Sequence, residues 1–186
     1  LEQLPLYITR RPGATVEQIE ALARRVPGLA LVVVDYVGKI SPSESSYRNS
    51  DRYNYMTEVS GDLKTMARSL RLPVLVLCQL NRASEGQKDK RPGLANLRDT
   101  GALEQDADGV IFLYREAYYN PEGRPLYEPE PMEVILEKNR HGPTGSCELA
   151  FSMAVSKVTA ISNDPREAAR KYFQTEPLPE QTKLEV

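Results

Sequence analysis

Residues 27–36 read PGLALVVVDY, a turn followed by an uninterrupted apolar run that ends in a carboxylate. The Pro-Gly pair indicates a turn, and the apolar residues 29–34 are typical of a parallel strand that is buried on both faces. Ligands of open α/β sheets bind at the carboxyl ends of the strands, so Asp35 is a candidate functional residue. An aspartate in this position can equally be a helix cap or a solvated loop residue.

Helical and strand-like segments alternate on both sides of this run. Apolar spacing predicts helices over 16–25, with Thr15 as the N-cap, over 53–70 and over 97–108, and strands over 5–8, 74–79 and 109–116. This alternation predicts an α/β fold with a mainly parallel sheet. Two further strands, 132–138 and 146–152, are joined by a Gly-Pro-Thr-Gly turn, and they predict an antiparallel hairpin at one edge.

Composition and charge give no sign of a broadly basic nucleic-acid-binding protein, a metal site or a membrane protein. The chain has 186 residues, 40% of them apolar, and a formal net charge of -2, so a basic surface for nucleic acid could only be local. Its two cysteines and single histidine have no metal-site spacing, and free thiols favour a reducing, cytoplasmic compartment. No apolar run reaches the length of a membrane span, so we expect no membrane partner.

Polar side chains also follow two of the other strands. Gln79 ends the strand LPVLVLCQ, and Lys138 and Arg140 follow EVILE directly before the hairpin turn. Residues two apart on a strand share a face, so the two cations should project together. Seen alone, the pair could also be two solvated cations at the tip of a hairpin.

Four elements occur in a distinctive order: VVVDY, LPVLVLCQLNR, LRDTGALEQDADGVIFLYRE and LEKNRHGPTG. Together they resemble the ATPase domain of DnaB-type replicative DNA helicases over residues 4–155. The resemblance implies a RecA-like P-loop NTPase sheet, an ATP-dependent DNA helicase activity, and the cofactors ATP and Mg²⁺. It also implies a homo-hexamer that translocates on single-stranded DNA, with primase and a helicase loader as further partners.

The resemblance assigns roles to the residues at the strand ends. Asp35 would be the Walker B aspartate that holds Mg²⁺, and Gln79 would be the sensor of the γ-phosphate. Lys138 and Arg140 would be projected into the ATP site of the neighbouring subunit, with Arg140 as the arginine finger. Asp35 and Gln79 are therefore the predicted cofactor-binding residues, and Asp35 is the predicted metal ligand.

The loop LRDTG matches the DNA-binding loop of the family. Arg98, Asp99 and Gly101 would contact the phosphate backbone of single-stranded DNA without reading its sequence. The chain departs from the family here, because the family more often has Glu at the position of Asp99. A second departure is VDYVGKI, where Gly38 and Lys39 replace a polar-apolar pair, which leaves the packing after Asp35 open.

The sequence contains no G-x-x-x-x-G-K-[ST] phosphate-binding loop. In the family this loop and its strand lie upstream, and the strand lies between those represented here by 74–78 and 109–114. We therefore expect a sheet that is incomplete on its N-terminal side. The three hypotheses are a fragment of a longer helicase, direct pairing of 74–78 with 109–114, and pairing with another molecule; we favour a fragment with direct pairing.

Domain and function predictions follow from these points. We expect a partial RecA-like ATPase domain over residues 1–160, and a C-terminal helix with a disordered tail over 161–186. The isolated chain should hydrolyse ATP negligibly, because it lacks the phosphate cradle and the general base. The alternatives are a RecA- or RadA-like recombination ATPase, and a non-catalytic remnant that binds or regulates helicase subunits.

Overall fold

The computed structural model describes residues 5–42, 52–81, 89–120 and 129–160, without the side chains of 52–54 and 98–100. The predicted C-terminal helix and tail, 161–186, lie outside the described residues. By its contacts the chain divides into two compact units, Leu1–Phe112 with Leu136–Thr144, and Leu113–Ile135 with Gly145–Val186. None of the helices in the described ranges has the length and apolarity that a membrane span requires.

The described helices and strands follow the predicted order. The α-helices are α1 Val16–Ala23, α2 Arg52–Leu70, α3 Gly101–Asp106 and α4 Glu116–Tyr119, and 3₁₀ helices cover Val37–Lys39, Leu94–Thr100 and Met153–Val155. The strands are β1 Val32–Val34, β2 Val74–Val76, β3 Gly109–Tyr114, β4 Glu130–Asn139, β5 Gly145–Ser152 and β6 Lys157–Ala160. The predicted strand over 5–8 is wrong, because residues 5–8 have no regular secondary structure.

Helix α1 begins where the sequence predicts. The Thr15 hydroxyl accepts a hydrogen bond from the backbone N–H of Gln18 at 3.4 Å, which satisfies one of the unpaired donors of the first turn. The helix ends at Ala23, two residues before the predicted end. Val16 faces inward and joins the core of the first unit.

The core of the first unit forms between α2 and β1. Side chains spaced three and four residues apart on α2 are buried, as the helical period requires. They pack with β1, the segment that follows it and α1 in one cluster: Val16, Val34, Val37, Ile40, Met56, Val59, Leu63 and Met66. The predicted helix over 53–70 is confirmed, and its apolar face supports one side of the β1–β2 pair.

Strands β1 and β2 form a parallel pair with Val32 opposite Val74 and Val34 opposite Val76. The hydrogen bond from Leu77 N to Val34 O, 2.9 Å long, continues the pairing beyond the strand ends. Within the described residues, one face of this pair packs on α2 and the other is open: Val33 and Leu75 are 53% and 50% exposed. The prediction of strands buried on both faces is therefore wrong for one face, because an apolar run does not reveal how many faces have a neighbour.

The remaining strands form a second sheet in the order β3-β4-β5-β6, in which β5 and β6 are antiparallel. Strands β2 and β3 belong to different sheets within the described residues, so the direct pairing of 74–78 with 109–114 is wrong. Strand β6 was not predicted, and it places the hairpin of β4 and β5 inside the sheet, not at its edge.

The turn between β4 and β5 is organised by Asn139. Its side-chain oxygen accepts from the backbone N–H of His141 at 3.1 Å, and its amide nitrogen donates to the carbonyl of Pro143 at 3.1 Å. A Cβ on Gly142 would lie 3.0 Å from this amide nitrogen, so a side chain there would press on the turn. The turn therefore has a defined shape, and residues 140–148 around it are exposed.

Candidate functional site

Asp35 and Gln79 continue the exposed face of the β1–β2 pair. Exposed and less exposed positions alternate along both strands, and the exposed ones are Leu31, Val33 and Asp35 on one, and Leu75, Leu77 and Gln79 on the other. Asp35 directly follows β1, and Gln79 is the third residue after β2, so both lie beyond the carboxyl ends of the paired strands. That these two side chains meet at the carboxyl edge stays a prediction.

The segment after Asp35 is packed against the core in spite of its departure from the family pattern. Val37 is buried, and the Tyr55 hydroxyl donates to the carbonyl of Ile40. The ring of Tyr36 lies so close to Gly38 that a Cβ there would be 2.7 Å from Cε2, and the Lys39 ammonium lies 5.7 Å from the ring centroid. Glycine and lysine at these positions therefore suit the tyrosine ring, which answers the question left open by the sequence.

Lys138 and Arg140 lie against the C-terminal end of α3 in their own chain. The Lys138 ammonium donates to the carbonyl oxygens of Glu104 at 2.5 Å and Gln105 at 3.2 Å, and the Arg140 Nη2 donates to the same Gln105 carbonyl. These carbonyls are ones that the last turn of a helix leaves without intrahelical partners. The two cations therefore project together, as predicted, and their common contact is the end of α3.

Asp108 completes this cation site. Its Oδ2 accepts from the Lys64 ammonium at 2.5 Å, and its Oδ1 lies 3.5 Å from Nη1 of Arg140. The hydrogen bond from Lys64 lowers the pKa of Asp108, and the charges of Lys64, Arg140 and His141 act in the same direction against partial burial. The carboxylate is therefore negative at neutral pH and sits between two cations.

A buried serine fixes α3 to α2 beside this cluster. The Ser60 hydroxyl, which is 2% exposed, donates to Oδ2 of Asp106 at 2.6 Å. The segment Glu104–Asp108 is thus held from one side by α2 and from the other by β4 and the residue after it. The sequence motif LEQDAD contains this segment, but sequence reasoning did not assign it a structural role.

The predicted DNA-binding loop lies at the start of α3. Arg98 and Asp99 belong to the 3₁₀ helix Leu94–Thr100, and Gly101 is the first residue of α3. The same 3₁₀ helix is linked to the segment that follows Gln79, because the N–H of Asn81 donates to the carbonyl of Asn96 at 3.4 Å. A main-chain hydrogen bond therefore joins residues two positions after Gln79 and two positions before Arg98.

The residues at the carboxyl edge offer few ligands for the Mg²⁺ of a bound nucleotide. No group of three or more His, Cys, Asp or Glu side chains that could hold a metal occurs among the described residues. Asp35 offers one exposed carboxylate, and Mg²⁺ commonly takes one or two carboxylates, water and the substrate phosphates. The donor set therefore suits a metal that arrives with a phosphate ligand and not a metal held by protein alone.

Three residues of the site were not found from the sequence: Lys64, Ser60 and Asp108. Each acts through a partner more than 40 residues away, and helical spacing does not indicate such contacts. The available signal for Lys64 was its position one residue after the buried Leu63 on α2. That position predicts a side chain near the edge of the apolar face, but it does not predict the partner.

Comparison with known proteins gives the family. Residues 1–160 match the family model of the DnaB-like helicase C-terminal domain. The chain is 39% identical over 171 residues to the replicative DNA helicase DnaB of Geobacillus stearothermophilus, covering 90% of this chain and 37% of the relative. It is 40% identical over 155 residues to the replicative DNA helicase DnaC of Bacillus subtilis, covering 82% and 33%. The chain thus spans about a third of the length of these relatives.

Solved structures agree with this assignment. A DnaB-like replicative helicase, described with its interactions with primase, superposes with a TM-score of 0.74 at 38% identity, covering 83% of this chain and 38% of that one. A second solved structure, an ATPase domain, superposes with a TM-score of 0.72 at 38% identity, covering 81% and 52%. The α/β fold is therefore RecA-like, and the chain belongs to the family of DnaB-like helicase C-terminal domains.

Proposed function

We propose that this chain is part of an ATP-dependent replicative DNA helicase that acts as a hexamer in the cytoplasm. The observation that carries the proposal is that Asp35 and Gln79, both exposed, follow the carboxyl ends of the two parallel strands β1 and β2. Carboxyl edges of this kind bind nucleotides in open α/β sheets. The family membership supports helicase activity, and duplex DNA is the proposed substrate.

The proposed chemistry divides between two subunits. Asp35 would hold Mg²⁺ that arrives with ATP, and the metal would supply neutralisation of the charge on the phosphates. Gln79 faces the same site and responds to the presence of the γ-phosphate. Arg140 projects from the exposed turn after β4 and places its guanidinium on a phosphate bound by the neighbouring subunit, with Lys138 beside it.

The proposed coupling to DNA follows the main chain from Gln79 to the 3₁₀ helix Leu94–Thr100. The hydrogen bond from Asn81 N to Asn96 O supports this path, because it joins the two segments directly. Arg98, Asp99 and Gly101 then hold the phosphates of single-stranded DNA. A movement of Gln79 when the γ-phosphate is lost can in this way change how tightly these residues bind single-stranded DNA.

Partners are proposed on the same basis. A structural neighbour is a DnaB-like helicase described with its interactions with primase, which supports primase as a partner of the complete protein. Single-stranded DNA is the strand on which the hexamer translocates. A helicase loader is the third proposed partner, because a closed ring needs help to enclose a strand.

The experiment that tests the proposal is a chimera. Residues 1–160 replace the matching segment of the Geobacillus stearothermophilus helicase, which supplies the rest of its own chain. We expect hexamers that hydrolyse ATP and unwind a forked duplex. Asp35→Asn and Arg140→Ala should each lower kcat by at least about 10²-fold, while the exposed residues Glu17 and Arg25 provide the controls Glu17→Gln and Arg25→Ala.

Mixing the Asp35→Asn and Arg140→Ala chimeras tests whether one ATP site takes Asp35 and Arg140 from two different subunits. If Arg140 acts on a neighbour, a mixture of Asp35→Asn and Arg140→Ala subunits contains interfaces with both residues intact, and ATPase activity returns. If Arg140 acts within its own chain, no subunit in the mixture is complete, and activity stays low. Full activity of either single variant in unmixed hexamers would contradict the proposed roles.

A further inference from the structure

Asp108 contacts Arg140 through both its backbone and its side chain. The backbone N–H of Arg140 donates to the carbonyl of Asp108 at 2.8 Å, and Nη1 of Arg140 lies 3.5 Å from Oδ1. The other carboxylate oxygen accepts from Lys64 at 2.5 Å. One residue therefore meets both ends of Arg140 and is itself held by α2.

We propose that Asp108, anchored by Lys64, is a positioning residue for Arg140 that orients its guanidinium for a phosphate of the neighbouring subunit. This inference rests on the proposed function, and it assigns the role to a residue that contacts neither nucleotide nor DNA in that function. Asp108 acts through Arg140, and Lys64 acts through Asp108. The pair would set the direction of the guanidinium plane before a phosphate arrives.

The donor count of arginine makes this arrangement possible. A guanidinium carries five N–H donors in a planar fork. Contacts with the Gln105 carbonyl and with Asp108 use its Nη2 and Nη1 groups, and the Arg140 side chain is still 44% exposed. The remaining donors can meet a phosphate while the plane is held, whereas a lysine ammonium has no plane to orient.

The anchor of Asp108 is more rigid than the ion pair alone would suggest. Lys64 leaves α2 directly after Leu63, which is buried in the core, and the Lys64 side chain is only 20% exposed. The Ser60 to Asp106 hydrogen bond holds the same helix against α3 one turn away. Exposed ion pairs contribute little to stability, so we expect the effect of Asp108 on orientation to exceed its effect on folding.

Kinetics of the chimera test the role. Asp108→Asn keeps the shape of the side chain and removes its charge, and we expect kcat to fall on the order of tenfold with KM for ATP within about twofold. Lys64→Met should show a smaller loss in the same direction, and Asp108→Glu should recover part of the activity. Ser60→Ala is the matched control, because it loosens the same contact between α2 and α3 without touching Arg140.

A second measurement does not depend on activity. In the chain itself, the ¹⁵N-labelled Arg140 side chain should give a resolved Nε–H signal with slowed guanidinium rotation, and Asp108→Asn should move it to the position of a solvated arginine. The inference is overturned if Asp108→Asn leaves this signal and kcat unchanged, or if Ser60→Ala lowers kcat equally. If Arg140→Ala itself keeps full kcat, the proposed function of Arg140 fails, and that result is distinguishable from the first two.

Discussion

Lys138 donates to the backbone carbonyl of Glu104 at 2.5 Å, which places a cation from β4 on the C-terminal turn of α3. A helix of six residues has few internal hydrogen bonds, and its last carbonyls carry partial negative charge. Lys138 satisfies two of these carbonyls, since it also reaches Gln105. The residue proposed to accompany the arginine finger is thus also a cap of the helix that follows the proposed DNA loop.

Replacing Lys138 by methionine should loosen α3. The change keeps the apolar stem of the side chain and removes its donors, so the carbonyl of Glu104 loses this partner and the carbonyl of Gln105 keeps only Arg140. We expect the free energy of unfolding to fall by about 1 kcal/mol, as measured by urea denaturation of the chain. Amide hydrogen exchange of residues 101–106 should accelerate.

The control for this prediction is Lys157→Met, which removes an exposed lysine from β6. It should leave the amide hydrogen exchange of α3 unchanged. It should change the free energy of unfolding by no more than about 0.5 kcal/mol. Equal effects of the two changes would show that the loss of a positive charge matters and the cap does not.

A pair of glycine substitutions tests the packing after Asp35. Gly38→Ala would put a Cβ 2.7 Å from Cε2 of Tyr36, and we expect a loss of about 1–3 kcal/mol as the ring is displaced. Gly61→Ala is the matched change in the middle of α2, where nothing lies within 4 Å, and it should stabilise the chain by about 0.5–1 kcal/mol. The same urea denaturation measures both, and stabilisation by Gly38→Ala would contradict the close approach of Tyr36.

Local patterns predicted the helices of this fold well, and contacts between distant segments were predicted poorly. The spacing of Val59, Leu63 and Met66 predicted α2 because a helical period is written in neighbouring residues. The apolar run of β1 predicted a strand but not its exposed face, because burial depends on which segments cover it. The order of the second sheet and the partners of Asp108 depend on contacts that no local pattern encodes.

For the candidate site, too, the sequence predicted residues near one another in the chain and missed contacts between distant segments. Asp35 and Gln79 were predicted from strand ends, and the family resemblance supplied roles for Arg98 and Arg140. The contact of Arg140 with its own α3 was missed, because a resemblance transfers roles and does not transfer the surroundings of a side chain. Such surroundings require coordinates.

Asp62 should destabilise the folded chain at neutral pH. Burial raises its pKa, and the like charges of Glu17 and Glu58 raise it further, so the ionised form is disfavoured in the folded state. Asp62→Asn should therefore increase the free energy of unfolding at pH 7. The gain should vanish as the pH falls below 3.8, where the carboxyl is protonated in both states of the wild-type chain.

Glu17→Gln provides the comparison for Asp62. It removes one of the two like charges and leaves the burial of Asp62 in place, so it should give a smaller gain at pH 7. A loss of stability in Asp62→Asn at pH 7 would show that the carboxylate has a compensating partner in solution.

Asp108 should have the opposite pH dependence. Its folded-state pKa is lowered, chiefly by the hydrogen bond from Lys64, so its contribution to stability is complete above the ordinary value of 3.8. That contribution is lost as the pH falls through the lowered folded-state pKa. The difference in free energy of unfolding between the wild-type chain and Asp108→Asn, measured by urea denaturation from pH 7 to pH 2, should therefore be constant at first and then shrink in acid.

Lys64→Met identifies the cause of this dependence. Without the lysine ammonium the largest influence on the Asp108 pKa is gone, so the shrinkage should still begin near pH 3.8 but end closer to it, and its amplitude should be smaller. Added salt should reduce the amplitude in the wild-type chain as well, because the Asp108 side chain is 53% exposed. A difference that grows as the pH falls would mean that Asp108 is destabilising when ionised, and the two-cation environment assigned to it would be wrong.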